Sequence, residues 1–246
     1  CAMPILGYSA TGHFETKDMP VHVASWLAGY EEEIAHLAQC VDEPVAQWRE
    51  LLKGVMPKET LDSAVEPLLT TQWNQSPFYN AQCPADGANE SGHALAGCTA
   101  VATAQVMKYW NFPERGYGSH SYEHSTYGTL SADFGSTTYP WGLMSNSLTY
   151  SSPQMNINAV ATLIYHVGVA VEMEYGPDRS GGALDNKGNF TTASAENALR
   201  EFFKYKSSLN SIFQEDFNPN EYLQILYNEL NNSRPFLYAG AEGDSD

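Results

Sequence analysis

Basic residues are scarce in this chain. Lysine and arginine together number 12 against 29 aspartates and glutamates, a formal net charge of −17. Phosphate recognition needs a basic face, so nucleic acid is excluded as a partner. Long apolar runs are missing too. None approaches the about 20 residues needed to cross a bilayer, so no membrane span is expected. No positively charged stretch followed by an apolar run is present, and no signal peptide is visible. Cysteine is sparse: Cys1, Cys40, Cys83 and Cys98 include no C-x₂-C pair, and Cys83, His93 and Cys98 have the wrong spacing for structural zinc. Glu31, Glu32 and Glu33 read as a solvated helix face rather than a cation site. No metal ion and no cofactor is called for. What remains is enough for a real core, because 43% of 246 residues are hydrophobic.

The most informative stretch runs from Gly97 to Trp110, Gly-Cys-Thr-Ala-Val-Ala-Thr-Ala-Gln-Val-Met-Lys-Tyr-Trp. It predicts a slim helix, with Ala100, Ala102 and Ala104 allowing close packing, that stops at Asn111-Phe112-Pro113. Cys98 falls in the first turn. A thiol there meets the positive end of the helix dipole and unpaired backbone N–H groups, an environment that favours the attacking thiolate. Read alone, the same segment fits a buried cysteine in a core helix equally well.

The wider chain bears on that choice. Leu68-Leu-Thr-Thr-Gln-Trp73-Asn74-Gln75 is followed by Tyr79-Asn80 and Cys83-Pro84. The Cys98 helix comes next, then Val169 to Pro177 with Ser180-Gly181-Gly182, and then Arg234-Pro235-Phe-Leu-Tyr238-Ala-Gly240. Near the start stand Pro4-Ile5-Leu6-Gly7-Tyr8-Ser9, Gly12 and Phe14. In this order the blocks resemble the streptopain family of papain-like cysteine peptidases, the block near the start resembling the tail of its propeptide. The resemblance implies an α+β fold, two-lobed and papain-like, with a truncated β-rich lobe. It implies residues 1–60 as the C-terminal part of a pro-segment and residues 61–246 as the catalytic domain. The activity implied is that of a bacterial cysteine endopeptidase, secreted or periplasmic. It would act on protein or peptide substrates and be held by its own pro-segment as an intramolecular inhibitor.

Site roles come from the same resemblance. Cys98 is expected as nucleophile and Gln75 as the side-chain donor of the oxyanion hole, beside the Cys98 backbone N–H. Gln75 lies much further upstream than the single helical turn usual in papain-like sequences, as in the streptopain pattern. Read without the family, Asn74-Gln75-Ser76-Pro77 is a turn-like cluster. The catalytic histidine is expected just beyond residue 246, in a longer precursor of which this chain is a fragment; as given, the chain is not expected to be an efficient peptidase. Of the seven histidines, His93 is expected as a hydrogen-bonded loop residue, His166 as a satisfied core residue, and His120 and His124 as surface loop. Cys83 is expected to be structural.

Further elements are read from pattern. Helices are expected from Met19 through Leu37, from about Glu43 to Gly54, from Ile157 to Val167, from Thr192 to Tyr205 after a Thr-Thr-Ala-Ser cap, and from Glu221 to Asn231. Residues 114–153 should be loops and short strands, 178–187 a mobile loop beside the cleft, and Pro235 to Gly240 a strand. Processing is expected within residues 38–66. Family preference for an apolar side chain two residues before the cut makes Trp141, Met144 and Val171 candidate wall residues. Two other readings stand beside the peptidase. One is an inactive homologue or propeptide-like inhibitor or binding protein of a related cysteine peptidase. The other is a different thiol enzyme of the same fold, such as a transglutaminase or amidase.

Overall fold

The structure, a computed structural model, describes residues 65–187 and 193–240. The chain divides into two units, Cys1–Ala64 and Val65–Asp246, and the described residues all belong to the second. The expected helices at 19–37 and 43–54, the pro-segment and its processing point, and Cys1 and Cys40 lie outside the described residues.

Helix α1 spans Cys98–Trp110, as its alanine-rich run requires. It ends where Asn111 turns left-handed (φ 47°, ψ 46°) and returns its N–H to the Lys108 and Met107 carbonyls. One side, built from Thr99, Ala100, Thr103, Ala104 and Met107, is buried, and it packs on the longer helix α2, Gln154–Ala170. That helix is closed to solvent over most of its length from Ala159 to Ala170, so it forms the centre of the core. A two-stranded antiparallel hairpin, β1 (Ser119–His124) and β2 (Gly128–Asp133), pairs Tyr122 with Leu130 and lies against α2.

Two further helices follow. Helix α3, Ala195–Glu201, starts where the Ser194 hydroxyl accepts the Asn197 N–H, the capping expected of that segment. It is shorter than the expected Thr192 to Tyr205. Phe202 caps it and Lys204 takes a positive φ of 59°, which a continuing helix forbids. Helix α4, Pro219–Asn231, begins at a reciprocal capping box between Asn218 and Glu221.

Two expectations need correction. Pro235–Gly240 is irregular rather than a strand, since no neighbouring strand among the described residues offers it a ladder. His120 and His124 are not surface loop. They sit on β1, where the alternation of the strand turns His120, Tyr122 and His124 inward and Ser119, Ser121 and Glu123 outward.

His166 on α2 is the satisfied core histidine expected. It is buried and its Nδ1 shares a hydrogen bond of 3.0 Å with the Tyr139 hydroxyl. Burial pushes its imidazole down to about 4, outweighing the opposite pull of Asp133. Because the folded value lies below the ordinary 6.5, the unfolded chain takes up this proton first. Stability is therefore full above about 6.5 and falls as pH drops toward about 4. The drop attributable to His166 is on the order of 3 kcal/mol. In denaturant titrations, His166→Gln is expected to flatten the pH dependence across that window.

Candidate active site

The turn before α1 is built to leave one side chain outside. Gly97 has φ 85° and ψ 133°, and a Cβ there would lie 2.5 Å from the Met173 Sδ. Glycine lets the chain pass over that buried methionine and enter the helix. The result is that Cys98 is exposed while Thr99 and Ala100, the two residues after it, are buried. No side chain caps the first turn, so the helix presents its N-terminal backbone donors beside the thiol.

Gln75 reaches this turn through the backbone. Its carbonyl accepts the Ala96 N–H at 3.2 Å, and its own N–H donates to Asn74 Oδ1 at 2.7 Å. The side chain is half-buried and makes no hydrogen bond among the described residues. The flanks of its loop are fixed on both sides. The Trp73 indole donates to the Ser145 carbonyl at 2.8 Å, and the Trp73 N–H donates to Gln105 Oε1 on α1 at 3.3 Å. The buried Asn80 amide donates toward the carbonyls of His93 and Ala94, at 3.2 and 3.1 Å, on the stretch of chain that enters the cysteine turn. The sequence-predicted pair, Cys98 and Gln75, is thus carried on two adjoining stretches of backbone. Asn80 as the anchor was not legible in the sequence, because nothing in the Tyr79-Asn80 dipeptide names its partners.

Each of the four described histidines is engaged by a partner other than Cys98. His93 Nδ1 donates to the Cys83 carbonyl at 2.7 Å, which makes it the hydrogen-bonded loop residue expected. His120 Nε2 pairs with Glu172 Oε1 at 3.0 Å. His124 Nδ1 accepts the N–H groups of Thr126 and Tyr127, at 3.1 and 3.3 Å. His166 is held by Tyr139. Cys83 is a free, buried thiol pushed up to about 12 by burial, against a smaller downward pull from Tyr175, so it is structural.

Two expectations about the cleft are overturned. Met144 and Val171 cannot wall a substrate pocket, because they are 3% and 2% exposed and belong to the core. Trp141 is half-buried and its indole donates to the Pro113 carbonyl at 3.1 Å. The 178–187 stretch, expected to be mobile, is tied down in its first part. Glu174 and Gly181 exchange two backbone hydrogen bonds, of 2.8 and 3.1 Å. Among the described residues no group of His, Cys, Asp or Glu could hold a metal ion, and no helix is long and apolar enough to cross a membrane.

The sequence profile of the Peptidase C10 family matches residues 73–245, a span that takes in Gln75, Cys98 and everything that supports them. The chain belongs to the Peptidase C10 family. It is 30% identical over 250 residues to the thiol protease/hemagglutinin PrtT of Porphyromonas gingivalis, covering 97% of this chain and 27% of that protein. It is 30% identical over 253 residues to streptopain of Streptococcus pyogenes, covering 96% of this chain and 59% of the relative. The chain therefore spans less than two thirds of either relative. Among solved structures it resembles active wild-type interpain A, a cysteine protease of Prevotella intermedia. The TM-score is 0.62 at 32% identity, over 72% of this chain and 70% of that one. A prointerpain A fragment from the same organism aligns with a TM-score of 0.64 at 29% identity, over 85% of this chain and 63% of that one. The fold class is α+β and papain-like, as the resemblance implied.

Proposed function

We propose that this C10-family protein is a secreted bacterial cysteine endopeptidase, made as a zymogen, with Cys98 as its nucleophile. The observation that carries the reading is the exposure of Cys98 at the uncapped start of a helix whose next residues are buried. That arrangement gives a thiolate access to a peptide carbonyl from a rigid base. In the reaction, Sγ bonds to the scissile carbonyl carbon and the carbonyl electron pair moves to oxygen. The oxyanion accepts hydrogen bonds from the Cys98 N–H and the Gln75 side-chain amide. Collapse expels the amine, which takes its proton from a histidine imidazolium; water then cleaves the acyl-enzyme with the same histidine as base. This reading takes as that base a histidine other than the four described ones, each of which is engaged by another partner. Residues 1–60 act in this reading as the pro-segment that inhibits the domain of residues 61–246 until cleavage. The substrates are proteins and peptides.

The test uses the full-length protein, processed by an added protease to release its pro-segment, on a fluorogenic peptide. Gln75→Ala is expected to lower kcat by about 10²- to 10³-fold with little change in KM, since the amide acts on charge that exists only in the transition state. An unchanged kcat would remove Gln75 from the oxyanion hole.

A further inference from the structure

Two hydroxyl groups, one of them far from Cys98 in sequence, hold the turn that carries it. Ser180, 9% exposed, donates to the Leu95 carbonyl at 2.7 Å and accepts the Gly176 N–H at 3.0 Å. The Leu95 N–H returns a bond of 3.0 Å to the Gly176 carbonyl, so the two stretches are stitched in both directions. On the other side of the nucleophile, the buried Thr99 hydroxyl donates to the Gly182 carbonyl at 2.7 Å. Leu95 and Thr99 flank Gly97 and Cys98, and both lead to the same short segment, 176–182. That segment is itself firm. Its base is the backbone pair between Glu174 and Gly181, and it turns so tightly that a Cβ on Gly176 would lie 2.8 Å from the Arg179 carbonyl oxygen.

Between the two hydroxyl bonds, Ala96 is bonded to the Gln75 carbonyl. The residues entering the helix thus alternate between two supports, the 176–182 segment at Leu95 and Thr99 and the Gln75 loop at Ala96. We propose that Ser180 and Thr99 are positioning residues for the peptidase reaction: their hydroxyls bracket the Gly97–Cys98 turn and fix the thiol relative to the Gln75 amide. This rests on the reading of Cys98 as nucleophile. Both hydroxyls are committed to backbone carbonyls, Ser180 to Leu95 and Thr99 to Gly182. Each acts through the alignment of two groups that must meet one carbonyl, where a displacement of about 1 Å costs up to about 10²-fold in rate.

The experiment is a set of variants of the full-length protein, processed by an added protease in the same way and assayed on a fluorogenic peptide. Ser180→Ala and Thr99→Val are each expected to lower kcat by about tenfold with KM nearly unchanged, while Thr99→Ser, which keeps the hydroxyl, stays within about twofold of the parent. Thr99→Val preserves shape, so it serves where Ser180→Ala fails to fold. The decisive comparison is a double-mutant cycle with Gln75→Ala. If the bracket works by aligning Cys98 with the amide, losing the amide makes loss of the hydroxyl nearly harmless. Thr99→Val should then cost no more than about twofold in the Gln75→Ala background. Equal costs in both backgrounds, or a full tenfold loss in Thr99→Ser, would overturn the positioning role while leaving Cys98 as nucleophile. A Cys98→Ala protein that still turns over the peptide would overturn both.

Discussion

Cys98→Ala is expected to lower kcat by about 10⁴-fold or more on a peptide substrate, with the thermal midpoint almost unchanged. Both halves follow from the same observation. The side chain is exposed, so removing its sulfur leaves no cavity, and the helix behind it keeps every buried contact of Thr99, Ala100, Thr103 and Ala104. No other described thiol can take over. Cys83 is buried, and its thiol, pushed up to about 12, stays protonated near neutrality. Cys83→Ala is the matching control, and its pattern is the reverse: turnover retained, with a loss of stability from the gap left beside Tyr175. The pair of variants, assayed for hydrolysis and for thermal unfolding, separates a catalytic cysteine from a packing one.

The second large effect belongs to Gly97→Ala. A methyl group at this position meets the Met173 thioether at 2.5 Å from Sδ and 2.6 Å from Cε, and because Met173 is fully buried, the shift of its flexible end must be taken up by the core around it. The backbone adds its own penalty. A φ of 85° costs a residue with a Cβ about 1–3 kcal/mol, and overpacking adds a similar amount. A thermal midpoint lowered by on the order of 10 °C is the expected result. Because Gly97 directly precedes Cys98, relief of the clash must also move the thiol, and kcat is expected to fall by about 10²-fold. Combining Gly97→Ala with Met173→Ala should recover the part due to overpacking and leave the part due to φ. Differential scanning calorimetry of the four proteins, parent included, measures the split.

How much of this was legible in the sequence depended on whether the controlling contacts were local. The helix at Cys98 was readable because alanines make it and Asn111 to Pro113 end it, all within one window. The same holds for the cap at Ser194. The hairpin was missed at His120 and His124 because serine, tyrosine and glycine around them dilute the hydrophobic signal, although the alternation of His120, Tyr122 and His124 was there to be counted. Phe236-Leu237-Tyr238 has the composition of a strand, but a strand also needs a partner, and composition cannot supply one. The pairing of Cys98 with Gln75 came from family resemblance rather than from spacing. What no pattern could supply was the support of that pair. Ser180 meets Leu95 across 85 residues and Thr99 meets Gly182 across 83, and such contacts exist only once the chain is folded.

The central claim is that Cys98 carries the acyl group. Its most direct test is to mix the full-length protein with an activated ester of an acyl-amino acid, quench in acid and weigh the protein intact. A mass increase of one acyl group, mapped by peptide fragmentation to the Cys98 thiol and absent from the Cys98→Ala protein, is the predicted result. An acyl group on another residue, or none at all while the ester is turned over, would contradict it.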